Sequence, residues 1–161
     1  MAETNLVVVR YLNGKCIKGS TQDFFPERIS FHVQTRGTGS GGPAETTHVK
    51  MAELKAVFFV RDLNGNSAHI KSRKFGVQAP GLASAKKIAV LFKDQELLVG
   101  YTNSYVAGKL GFFLTPADER GNNIRVYVLS HATKLVRVGP AADELVATAP
   151  KPLPKPRTKA A

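Results

Sequence analysis

A single cysteine, Cys16, leaves the chain with no possible internal disulfide. That suits a reducing compartment. Acids are scarce as well: 12 Asp and Glu stand against 23 Lys and Arg. No two carboxylates stand out as an acid–base dyad. The histidines His32, His48, His69 and His131 show no metal-ligand spacing. Neither a G-x-S-x-G elbow nor a Cys–His constellation is present. These absences predict a protein that is not an enzyme, with no catalytic residues, no metal and no cofactor. Long apolar runs are missing too; none approaches the roughly 20 residues of a membrane helix. The opening MAETNLVVVR has no basic start and no long apolar stretch, so it does not resemble a signal peptide. The expectation is a cytoplasmic protein without a membrane partner.

What the chain does have is a stretch that returns. Leu6 to Gln34 reads LVVVRYLNGKCIKGSTQDFFPERISFHVQ, and Ile88 to Thr115 reads IAVLFKDQELLVGYTNSYVAGKLGFFLT. At an offset of 81 positions, the interval from Gly19 to Gly100, Val9 meets Val90, Thr21 meets Thr102 and Phe31 meets Phe112. Conservative pairs fill the gaps: Tyr11 with Phe92, Phe24 with Tyr105, Ile29 with Leu110, Arg28 with Lys109. Self-similarity of this kind is the first thing to settle in a sequence, because it changes the fold assignment.

Each copy reads as five short strands. Val7, Val9 and Tyr11 alternate with Val8, Arg10 and Leu12, which suits a half-buried strand. Asn13-Gly14 then predicts a hairpin turn. Gly19 and Gly100 lie in mid-strand, where glycine marks a bend or a close backbone approach. Third strands run from Ile29 to Gln34 and Leu110 to Thr115, fourth strands from Thr47 to Met51 and Ile124 to Leu129. Fifth strands follow after two residues, Ala52-Glu53 and Ser130-His131, too few for a helix. Cys16 aligns with Leu97 and is therefore expected as a small core hydrophobe. Gly37, Gly39 and Gly42 satisfy G-x-G-x-x-G, but Pro43 and a strand follow where a dinucleotide site needs a helix, so the segment is a loop.

Five strands with a bent second strand and a minimal fourth-to-fifth turn resemble the Sm-like fold, including its bacterial Hfq type. VYVLSHATKLVRV resembles the family's last two strands, and the resemblance places His131 in the turn where the family's histidine helps bind RNA. Gly100 matches the family's strand-two glycine. It implies an all-β protein of two tandem five-stranded Sm-like small barrels: residues 1–66, a linker 67–85, residues 86–139, and a basic Pro-rich flexible tail 140–161. Ala141 to Ala147 leaves room for one or two helical turns. The segments GSTQDFFPERISFH, ELKAVFFVRDLNGN and VGYTNSYVAGKLGFFLTPADERGNN also resemble an uncharacterised bacterial family often found near PilZ signalling domains. That implies a bacterial and regulatory setting. The cyclic-di-GMP signature of PilZ itself is absent.

The net charge of +11 predicts an acidic or phosphate-rich partner. Part of it lies in Lys71, Arg73, Lys74, Lys86 and Lys87 between the copies and in Lys151, Lys155, Arg157 and Lys159 near the end, where it also suits solvated segments. The candidate nucleic-acid-binding residues are Phe24, Phe25, Arg28, Tyr105, Lys109, His131 and Lys134. Loop aromatics would stack bases while cations hold phosphates. For Phe24 and Tyr105 the favoured reading is that they cap a barrel end, since burial is the commoner use of an aromatic. Phe25 pairs with the apolar Val106, which suggests a contact surface. Of Phe58 and Phe59, one must leave its own core for the other repeat or another subunit, because neighbours in a strand point to opposite faces. Two functions follow: an RNA- or other nucleic-acid-binding module, or a protein-interaction adaptor that binds a protein or another copy through Phe25, Phe58 or Phe59.

Overall fold

A computed structural model describes residues 5–26, 28–36, 44–61, 85–103, 105–117 and 123–148. The Gly-rich loop, most of the connection between the copies, the loop around Arg120 and the basic tail lie outside these residues. Alternation of β-branched and polar residues gives the first half strands β1 (Asn5–Tyr11), β2 (Cys16–Thr21), β3 (Ser30–Arg36), β4 (Ala44–Lys50) and β5 (Leu54–Val60). The second half gives β6 (Lys86–Phe92), β7 (Leu97–Thr102), β8 (Gly111–Pro116), β9 (Asn123–Leu129) and β10 (Thr133–Val138). A single 3₁₀ turn, Met51–Glu53 or Ser130–Ala132, links the last two strands of each half.

All ten strands join one antiparallel sheet in the order β10-β6-β7-β8-β9-β5-β1-β2-β3-β4. It is not closed. Within a half the first strand pairs with the second and the fifth, as Val9 does with Ile17 and Val57. The fourth strand does not return to the fifth. Instead β9 pairs with β5 across the halves, Phe58 facing Val126 and Phe59 facing Arg125. The two halves, expected as tandem barrels, are thus parts of one open sheet that runs through this joint.

Local bonds recur at the aligned positions. Thr21 Oγ1 donates to the His32 carbonyl and Thr102 Oγ1 to the Phe113 carbonyl, both at 2.8 Å. The backbone N–H of Met51 meets the Ile29 carbonyl, and that of Ser130 the Leu110 carbonyl. The mid-strand glycines have one cause. A Cβ on Gly19 would drive into the Gln34 carbonyl oxygen and one on Gly100 into the Thr115 carbonyl oxygen. The backbones approach too closely there for any side chain.

Alternation then fills two main cores. Val7, Val9, Phe31, Val33, Val49, Val57 and Phe59 form one; Ile88, Val90, Phe92, Phe112, Leu114, Val126 and Val128 form the other. The joint strands supply both. Phe59 faces the first core, whereas Phe58, with Ala56 and Val60, enters the second. Each such buried large side chain contributes about 1.5–3 kcal/mol. Cys16 departs from expectation: it is exposed, although Leu97 at the aligned position is buried. The reason is helix α1 (Pro140–Thr148), which docks Ala142 and Leu145 over Leu97, Leu91, Val99 and Ala89. Nothing equivalent covers Cys16. Nine residues of the expected flexible tail are therefore this docked helix.

Candidate functional site

The loops after β2 and β7 carry five of the seven candidate residues, Phe24, Phe25, Arg28, Tyr105 and Lys109. In the first, the Arg28 N–H donates to the Phe25 carbonyl at 3.0 Å and closes a turn. The turn sets the Arg28 guanidinium 4.7 Å from the centre of the Phe25 ring, in cation–π range. Phe25 is 46% exposed and Ile29 80%. In the second loop the aligned Val106 is 51% exposed and Leu110 42%, and Lys109 between them is exposed. Both loops thus present an apolar side chain, a cation and a second apolar side chain at the same spacing. Tyr127 anchors the first loop to the joint by donating from its hydroxyl to the Pro26 carbonyl at 3.3 Å. Burial pushes the Tyr127 hydroxyl pKa up, so it keeps its donor proton.

The other aromatics turn inward. Phe24 meets Phe31, Phe59, Phe113 and Tyr127 edge-on at centroid distances of 5.0–6.1 Å, so it knits both halves. Tyr105 packs edge-on against Phe112 at 4.8 Å, within its own half. His131 Nε2 lies 2.6 Å from the Leu54 carbonyl, to which it donates; it ties the second half to the start of β5. Lys134 is exposed on β10. Of the seven expected residues, then, the loops present Phe25, Arg28 and Lys109 to solvent, while Phe24, Tyr105 and His131 make internal contacts.

Ile29 and Leu110 were not among the expected site residues. They share the alternation of Phe31, Val33 and of Phe112, Leu114, which predicts burial. However, β3 begins at Ser30 and β8 at Gly111, so both residues lie before the strand and outside its pleat. Their place beside Arg28 and Lys109 in both copies was the available signal.

A polar cluster lies elsewhere, across β3 and β4. His32 and His48 pair in register and stack at 5.1 Å. Asp23 accepts from the His32 N–H and bonds its Nδ1 at 2.7 Å. Partial burial raises the Asp23 pKa, but the bonds from His32 and Thr21 outweigh it and hold the carboxyl below its ordinary range. Among the described residues, no three His, Cys, Asp or Glu are arranged to hold a metal. A depression of about 300 Å³ lies between Lys86, Thr102, Asn103, Tyr105 and Val138. No described helix is long and apolar enough to cross a membrane.

Fold and loops together define a mostly β protein, one antiparallel sheet with a docked helix, whose two halves display like exposed loops. Residues 3–139 match a family of unknown function, DUF6982, and the chain belongs to that family. No curated protein and no solved structure matches it.

Proposed function

We propose that the chain is a duplicated Sm-like unit that works as a non-enzymatic binding module in a bacterial regulatory setting, in the cytoplasm, with a protein as its partner. One observation carries this reading: the exposed trio Phe25, Arg28 and Ile29 is repeated as Val106, Lys109 and Leu110. Exposed apolar side chains beside a cation are the composition of an interface centre with its rim. The partner segment would carry apolar side chains flanked by carboxylates.

The test is a pull-down with the full chain, Phe25→Ala and Val106→Ser, each with and without nuclease. A partner that survives nuclease, binds the purified chain directly and is lost in both variants supports the proposal. Capture unchanged by both substitutions removes these loops as the interface.

The Phe25–Arg28 stack favours a second reading, a nucleic acid partner, since a ring with a cation above it can take a base and its phosphate. That reading leaves Ile29, Val106 and Leu110 without a role, so it ranks second. Filter binding of single-stranded RNA at two salt concentrations separates the two. Phosphate contacts make affinity fall steeply with salt. Absence of binding at low salt removes the nucleic acid.

A further inference from the structure

The two halves meet in one particular way. The outer face of β1 and β5 offers Val8, Ala56 and Phe58, and all three pack against the second half's core. The aligned positions on β6 and β10 are Ala89, Leu135 and Arg137; the offset after the shorter loop is 79, the interval from Met51 to Ser130. Ala89 and Leu135 do not await a partner. They lie in a third cluster beneath Ala142 and Leu145 of α1. The neighbouring seat is built for the helix: Leu91, Leu97 and Val99 are buried, while their counterparts Arg10, Cys16 and Lys18 are exposed.

We propose that α1 is a cap. It takes the place on β6 and β10 that the second half takes on β1 and β5, and so stops a second copy of the chain from docking its β3–β4 edge against β10. The proposal rests on the equivalence of the halves. It does not depend on what the loops bind. An open edge strand invites pairing, and proteins guard such edges with covering elements and charges. Both edges of this sheet carry such guards in addition to α1. Arg137 stands where Phe58 inserts, so a second copy would have to receive a guanidinium in an apolar core. Lys55 reaches Asp94 and Glu96 across the joint. The corresponding groups at the outer edges are Lys134 and Asn13 with Lys15, which put two cations together. His32 and His48 stand where Phe113 and Tyr127 pack on Phe24 and Phe59. Helix α1 also begins at Pro140, directly after the family match ends at residue 139.

Cysteines report the contact directly. Phe59 faces Arg125 in the joint, so Thr46→Cys on β4 and Val138→Cys on β10 would come within disulfide reach if a second copy docked in the same register. With Cys16→Ser as background, the chain should give no intermolecular disulfide under mild oxidation. Adding Arg137→Phe, Asn13→Asp and Lys15→Glu while α1 stays docked should still leave monomer. Adding Leu145→Asp to undock the helix should convert the monomer into linked dimers and longer species. Linking in the plain background would overturn the proposal. So would equal linking with the helix docked, or no linking once it is undocked in a chain whose circular dichroism stays native. Leu145→Ser, a milder change, provides the same comparison if the aspartate melts the sheet.

Discussion

Lys55 of β5 holds Asp94 at 2.6 Å and Glu96 at 2.8 Å, and so fastens the start of the joint strand to the β6–β7 turn of the other half. The Lys55 side chain is only 8% exposed, against 55% for Asp94 and 37% for Glu96. Its ammonium also lies 4.6 Å from the Phe92 ring centre. The unequal burial decides what substitution does. Asp94→Asn with Glu96→Gln leaves a buried cation without a counter-charge, which should cost about 3 kcal/mol, the low end for a broken buried pair. Lys55→Met replaces the cation by an apolar chain of similar length and releases two acids that water can reach. It should change stability by less than about 1 kcal/mol. Urea denaturation of the three proteins compares them, and equal losses would refute the asymmetry.

The same pair gives a pH dependence. Partial burial raises the Asp94 pKa, but the bonds from Lys55 and from backbone N–H groups outweigh it, so the carboxyl sits below its ordinary 3.8. A carboxyl whose folded pKa is lowered stabilises the fold above its unfolded pKa, and that contribution is lost as pH falls through the folded value. Asp23, held down by His32 and Thr21, acts in the same direction. Melting temperature should therefore hold steady from neutral pH to the ordinary carboxylate range and fall below it. Asp94→Asn should fall less steeply there. Thermal scans across acidic buffers measure both slopes, and parallel curves would count against Asp94 as a source.

How far the sequence revealed this arrangement depends on the residue. The strands, their turns and the close backbone approach at the two glycines were legible because each follows from neighbours in the chain. Consecutive Phe58 and Phe59 showed that one ring must leave its own core. Which ring leaves, and that it enters the other half rather than another copy, depended on β9 pairing with β5, a long-range contact that no local pattern encodes. Cys16 was misplaced because alignment with Leu97 carried over the burial of a site that only α1 covers. His131 lay in the expected turn, yet its partner, the Leu54 carbonyl, is 77 positions away. Ile29 and Leu110 were hidden by an alternation that continues one residue past the start of the strand.

Glycine at 19 and at 100 should be equally intolerant. An added Cβ would meet a backbone carbonyl in each case, and also Val33 or Leu114. A backbone oxygen has no rotamer to escape into, so strands must part. Gly19→Ala and Gly100→Ala should each cost about 3 kcal/mol or more, the upper range for overpacking. Thermal melts of the two variants check it, and a loss below about 1 kcal/mol at either would show that the close approach can relax.

Adjacent Phe24 and Phe25 should separate stability from binding. Phe24 contacts four aromatic rings drawn from both halves. Phe25 is 46% exposed, with Arg28 over its face. Truncating a buried aromatic usually costs about 3–5 kcal/mol, and Phe24 is only partly buried, so Phe24→Ala should lose about 2–3 kcal/mol. Phe25→Ala gives up little buried area and should stay within about 0.5 kcal/mol of the parent. Partner capture should reverse the order once only folded protein is compared, with Phe25→Ala losing the partner and Phe24→Ala keeping it. Urea titrations with a capture assay on the same samples read both quantities. Loss of capture in Phe24→Ala alone, with Phe25→Ala unaffected, would move the interface from the loop to the joint between the halves.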